Sequence, residues 1–162
     1  MQDMTAPTLP SILGEPFHTG LIVDDLDAAM ADLGTAMVLK WAPVVRRTGI
    51  IHTPAGPQFR DMVITYSKGV GNHIELVEYI DDTAYTFMRG GPAHHVGFWV
   101  DDLEASMAAL DALGFPSEAA GAGDDGSVCE FSYHFNRHSG IWIEIVDVAS
   151  RPALERWARP DS

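Results

Sequence analysis

The chain has 162 residues, with 10 Lys plus Arg against 23 Asp plus Glu and a net charge of −13. That length suits one domain or two small ones, with a core large enough to need no staple. The acidity argues against a nucleic-acid partner, whose phosphates it would repel. No apolar run approaches the roughly 20 residues of a membrane span. The opening Met1-Gln2-Asp3-Met4 lacks the basic and apolar regions of a secretory signal. A lone cysteine, Cys129, excludes an intramolecular disulfide, and a reducing cytoplasm is the expected compartment.

Residues 1–16 contain three prolines and read as an extended arm. Residues 18–33, HTGLIVDDLDAAMADL, then recur at 95–110 as HVGFWVDDLEASMAAL, with ten of sixteen positions identical at an offset of 77. Such self-similarity marks a duplicated module. Residues 18–23 and 95–100 are short runs of branched and aromatic residues, hence strands. Asp24-Asp25 and Asp101-Asp102 supply helix N-caps. Leu26, Ala29, Met30 and Leu33 follow at helical spacing, matched by Leu103, Ser106, Met107 and Leu110, with Gly34 and Gly114 as expected terminators.

Three strands follow each helix. In the first copy they are expected near residues 41–50, 58–67 and 72–80, with a hairpin turn at 68–71. In the second they fall near 116–119, 128–136 and 140–148, with the matching turn at 137–140. The small acidic segment 121–126 reads as a loop able to cover a cleft. The organisation is therefore an arm (1–16), a first module (17–80), a linker (81–93), a second module (94–148) and a tail (149–162). Leu154 and Trp157 would dock a short helix in that tail.

The repeat also pairs polar residues. Glu75, in HIELVE, aligns with Glu144, in WIEIVD. A carboxylate in so apolar a strand needs a cation, a proton or water, because burying it alone is costly. Each module thus offers one His opening its first strand, His18 or His95, and one Glu in its last. Pseudo-symmetric packing would bring these four together as two imidazoles and two carboxylates, a donor set suited to a divalent metal. Gly20 and Gly97 lie two residues beyond the histidines; they leave space for a ligand beside the metal or allow close strand packing.

Other residues carry two readings each. His52 and His138 read as surface or turn residues, His73 shares the strand face of Glu75, and His94 faces away from His95. Trp99, Trp142, Tyr66 and Tyr133 suit a pocket wall or plain core packing. Arg46, Arg47 and Arg60 suit a substrate carboxylate or phosphate, with surface salt bridging the favoured reading.

His18 with VDDLDAA, Glu75 in HIELVE, His95 in HHVGFWVDDLEA and Glu144 in WIEIV together resemble the vicinal oxygen chelate superfamily, the glyoxalase/bleomycin-resistance/dioxygenase fold, over residues 17–148. The resemblance implies an α+β fold of two tandem βαβββ modules whose curved mixed sheets surround an open, metal-containing cleft. It implies His18, Glu75, His95 and Glu144 as ligands of one divalent ion (Zn, Ni, Co, Mn or Fe), a small-molecule substrate with adjacent oxygens, and a homodimer. The expected activity is a lyase or isomerase that stabilises an enolate, with Glu144 or Glu75 as base and Asp61, Tyr133 and His134 as helpers. The segments are also similar, less closely, to methylmalonyl-CoA epimerases. Their non-ligand base has no counterpart, since no Glu occurs between Glu15 and Glu75; Asp61 is the substitute at hand. Two other outcomes fit the scaffold. One is a non-catalytic, resistance-type binding protein. The other is an Fe(II) extradiol dioxygenase, disfavoured because a fourth ligand fills a position oxygen or substrate would use.

Overall fold

A computed structural model describes residues 12–69, 71–80 and 94–160. Most of the expected arm and the whole of the 81–93 linker lie outside the described residues. The element order is β1 (Pro16–Val23), α1 (Leu26–Ala36), β2 (Val45–Thr53), β3 (Gly56–Tyr66), β4 (His73–Glu78), β5 (His95–Val100), α2 (Leu103–Ala112), β6 (Ser117–Ala122), β7 (Val128–Asn136), β8 (Ile141–Asp147), a 3-10 turn (Val148–Ser150) and α3 (Arg151–Trp157). Strand, helix and three strands occur twice, as the repeat requires.

The eight strands close into a barrel in the order β1-β4-β3-β2-β6-β7-β8-β5. Each half contributes one parallel pair, β1 with β4 and β5 with β8. The halves are stitched antiparallel at two seams, β1 to β5 and β2 to β6. The modules therefore pair within one chain. α1 covers the outer face of its own half through Leu26, packed with Val63 and Leu76. α2 does the same through Leu103 and Leu110 against Ile143 and Ile145. Burying each such side chain contributes about 1.5–3 kcal/mol. Inside the barrel, Ile51, Met62, Val77, Ala119, Phe131 and Tyr133 form the apolar filling. Alternation along the strands separates these two sets of residues.

Three local expectations change. α1 passes through Gly34 and ends at Ala36, with Val38 in the left-handed region at φ 56°. Gly34 is small because Trp41 folds over the helix: a Cβ there would lie 3.2 Å from Trp41 Nε1, which donates to the Met30 carbonyl at 2.8 Å. Gly114 does follow its helix with φ 84°. The second strand begins at Val45 and not at residue 41, Trp41 contributing one isolated bridge to Ser67. Gly121 and Ala122 belong to β6, pairing with Ile51 and Ile50. The rest of the supposed loop is a tight turn, with Asp125 accepting from the Ser127 amide and hydroxyl.

Among the described residues, no helix is long and apolar enough to cross a membrane. Asp25 and Asp102 cap their helices, each accepting a 2.9 Å bond from the amide three residues on. Asp25→Ala and Asp102→Ala should each lower stability by about 1 kcal/mol in urea unfolding, and the double variant by the sum.

Candidate metal centre

Two rows of residues run across the strands where the halves meet. In one, Gly20 of β1 sits between Glu75 of β4 and His95 of β5. In the other, Gly97 of β5 sits between Glu144 of β8 and His18 of β1. Each row is His, Gly, Glu, and the two run in opposite senses. The glycines make room for the imidazoles. A Cβ on Gly20 would lie 1.9 Å from His95 Cε1, and one on Gly97 1.9 Å from His18 Cε1. The expected space for a ligand is thus filled by the histidine rings themselves.

A bulge helps to aim His18. The β1–β5 register steps from Pro16 opposite Phe98 to His18 opposite Gly97, leaving Phe17 as the extra residue. Such an insertion redirects side chains. Phe17 turns inward to stack on Trp99, with ring centroids 3.7 Å apart, and meets the His18 ring edge-on at 4.4 Å.

The four side chains converge, all of them buried, each offering one donor atom within 4.8 Å of every other. His18 Nε2 lies 2.8 Å from Glu144 Oε2 and 3.5 Å from Glu75 Oε2. His95 Nε2 lies 2.8 Å from Glu75 Oε2 and 3.3 Å from Glu144 Oε2. The two Nε2 atoms are 3.0 Å apart. With metal–ligand bonds of about 2.0–2.2 Å, adjacent donors of one ion fall about 3 Å apart. Glu144 Oε2 is buried and accepts no well-formed hydrogen bond among the described residues, as suits a lone pair facing a cation. The residues present therefore fit a divalent ion.

The four groups also offset one another's burial. Burial pushes His95 toward its neutral form, but the close approach and charge of the Glu144 and Glu75 carboxylates outweigh it and raise its pKa to about 9. Burial pushes the Glu144 carboxyl up, and the close approach of His18 and His95 overcomes this and brings it down to about 2. Glu75 has a further tether: Tyr66 donates its hydroxyl to Glu75 Oε1 at 2.6 Å. Counting back across the 68–71 hairpin reveals this pair, because Tyr66 lies directly opposite Glu75 on β3. Tyr133 lies opposite Glu144 in the same way, but its ring sits edge-on to His95 at 5.0 Å.

Both carboxylates open onto a cavity of about 380 Å³, whose walls include Phe17, Met62, Phe131, Tyr133 and, from α3, Leu154 and Trp157. α3 is the helix expected from the tail, and Leu154 and Trp157 pack against Phe17, Tyr66 and Trp99. Its role as a wall of the cleft was not legible in sequence. A larger cavity, about 510 Å³, flanks α3 near His73 and Arg151 and includes none of the four donors.

The other candidates separate. Asp61 is exposed, bonded to Thr48, and absent from the cleft lining, because Met62 and Ile64 take the inward positions of β3. His134 faces away from Tyr133, its Nδ1–H donating to the Phe115 carbonyl at 2.8 Å, so it is a structural histidine; burial holds its pKa down. Trp142 stacks on Phe135 at 4.6 Å and packs, partly buried, against the barrel core. Trp99 packs in the core with Phe17 and does not line this cleft. His73 donates to the Ser67 carbonyl and packs edge-on to Tyr66. His94 is buried, its pKa pushed down to about 4 by burial and then by the His95 charge. Of the arginines, Arg46 pairs with Glu78 on the surface and the buried Arg60 bonds Gln58. Only Arg47 reaches the cleft, paired with Glu130 at 3.0 Å.

Residues 17–132 match the family model of the Glyoxalase/Bleomycin resistance protein/Dioxygenase superfamily. The chain belongs to that superfamily. The match takes in His18, Glu75 and His95 and stops short of Glu144. Solved structures share the fold. Methylmalonyl-CoA epimerase from Mycobacterium tuberculosis aligns at TM-score 0.59 and 20% identity, over 90% of this chain and 95% of that one. A variant of the Streptomyces coelicolor methylmalonyl-CoA epimerase, in complex with 2-nitronate-propionyl-CoA, aligns at TM-score 0.57 and 18% identity, over 83% and 97%. A hypothetical protein from Bacillus halodurans C-125 gives TM-score 0.55 and 18% identity, over 82% and 93%. No curated protein matches the chain.

The glycine rows make a sharp prediction. Gly97→Ala should displace the His18 ring and lower Co(II) affinity at least about tenfold, the size expected when a metal site loses its ligand geometry. Gly49→Ala, with nothing within 4 Å of its Cβ, should leave Co(II) titrations unchanged.

Proposed function

We propose that this chain is a metal-dependent isomerase or lyase acting by enolate chemistry, with His18, Glu75, His95 and Glu144 as ligands of one divalent ion. The convergence of four buried donors beside an apolar cavity carries this reading. The bound ion would supply Lewis acidity, stabilising negative charge on a carbonyl oxygen as the neighbouring carbon loses a proton. The two carboxylates divide the remaining work. Tyr66 holds Glu75 in place through Oε1, which makes it the anchored member. Glu144 faces the two imidazoles through Oε2 and lines the cavity, which makes it the carboxylate placed to accept the proton and return it. Apolar walls keep bulk water from competing for that proton. All four donors come from one chain, so a homodimer, as the resemblance implies, would carry two complete sites.

Elemental analysis of the purified protein beside a His18→Ala/His95→Ala variant tests the metal directly. Near-stoichiometric divalent metal in the wild type, lost from a folded variant, is expected. A wild type that is metal-free and takes up no Ni, Co, Zn, Mn or Fe(II) would sink the proposal. Once a substrate is found, Glu144→Gln should abolish turnover while the protein stays folded. Tyr66→Phe should instead weaken metal binding by about tenfold. Ligand held tightly by chelator-treated protein, without turnover, would favour sequestration.

Metal uptake should also depend on pH. In the metal-free protein His95 keeps its proton up to a pKa of about 9, and an ion must displace it. Apparent affinity for Zn(II) should therefore rise about tenfold per pH unit from neutrality toward 9, where it flattens. Competition titrations at several pH values check the slope.

A further inference from the structure

We infer that the substrate of this site is a compact, largely apolar molecule with no phosphate-bearing carrier. This rests on the metal-centre reading above and concerns what occupies the cleft beside it. The first observation is size. The cavity of about 380 Å³ falls at the small end of ligand pockets, roughly 300–1,000 Å³. Its wall on one side is α3, held by the Trp157 indole N–H donating to the Pro43 carbonyl at 2.8 Å and by the fully buried Ala158.

The second observation is chemistry. The apolar part of the lining includes Val45, Met62, Ile64, Phe131, Val146 and Trp157, and its neutral polar groups are Tyr66, Tyr133 and Ser150. Among the described residues its charged lining is Arg47, Glu75, Glu130 and Glu144, three carboxylates and a single cation. That cation is already neutralised by Glu130 at 3.0 Å. Glu130 sits at φ 66°, in the left-handed region, which a side-chain-bearing residue enters only against steric strain. That conformation accompanies the placement of its carboxylate against Arg47 at the cleft.

Phosphate recognition needs cations or free amides in number. A coenzyme A thioester carries several phosphate charges, and among the described lining residues it would meet one occupied arginine in a chain of net charge −13. The Streptomyces coelicolor epimerase was solved in complex with a coenzyme A derivative. This cleft, on the same fold, offers apolar surface and carboxylates instead.

The test uses the full chain loaded with Co(II) and two probes, benzohydroxamate and propionyl-CoA. Benzohydroxamate is an apolar ring with two adjacent oxygens. It should shift the Co(II) absorption bands and bind in calorimetry, with propionyl-CoA at least about 100-fold weaker. Val45→Asp should weaken benzohydroxamate about tenfold with Co(II) content unchanged, because it places a carboxylate on the apolar wall. Should that variant fail to fold, Val45→Thr should give a smaller loss in the same direction. Glu130→Gln, which unpairs Arg47, should narrow the gap between the probes. Propionyl-CoA binding as tightly as benzohydroxamate, with an affinity that falls as salt rises, would overturn the inference, as would binding of neither probe to the cobalt-loaded protein. Failure to take up Co(II) at all would instead remove the metal-centre reading, and this inference with it.

Discussion

The structure turns on the missing side chains of Gly20 and Gly97. Two imidazoles occupy the volume where two Cβ atoms would otherwise stand, each ring crossing the β1–β5 seam into the space left by the other module. Neither half can complete this arrangement alone. Gly20 receives His95 from the second half and lies beside Glu75 of the first; Gly97 receives His18 and lies beside Glu144. The seam that closes the barrel is therefore also the line along which the four donors meet.

Burying four ionisable groups together is costly unless each compensates another. Here the compensation is mutual. Carboxylates on β4 and β8 raise the pKa of His95 against the effect of burial, and the imidazoles hold Glu144 down. Short contacts among two nitrogens and two oxygens are what a cation would replace. The Tyr66 hydroxyl breaks the near-symmetry by tethering Glu75. One duplicated donor set thereby acquires an anchored carboxylate and a freer one.

Fold and cleft answer to different parts of the chain. The barrel and its helices follow from the repeat, and the solved epimerases share that architecture at 18–20% identity. The cleft walls combine inward positions of the repeated strands, such as Met62 and Phe131, with features that break the repeat: the Phe17 bulge, the Arg47–Glu130 pair and α3 from the tail. Likeness of fold at that identity leaves the substrate open, because ligand contacts lie mostly in segments the scaffold does not dictate.

The sequence by itself determined the two modules, their capped helices and the identity of the four converging residues. Each of these is written in local spacing or in repeat registration, which survive without knowledge of the fold. Sequence misjudged Gly34, because the reason for that glycine is Trp41, seven residues away and folded back across the helix. It offered Asp61 and His134 as helpers, and strand alternation about Met62 and Tyr133 turned both away from the cleft. It read Gly20 and Gly97 as space for a ligand or as close strand packing, and the close approach there is made by the partner module's imidazoles. Only tertiary structure decided the glycines' function, the Tyr66 tether and the α3 wall. Spacing along a strand tells which face a side chain takes, but not which residue lies beside it on the next strand. That is set by register across hairpins, by the bulge at Phe17 and by closure of the barrel.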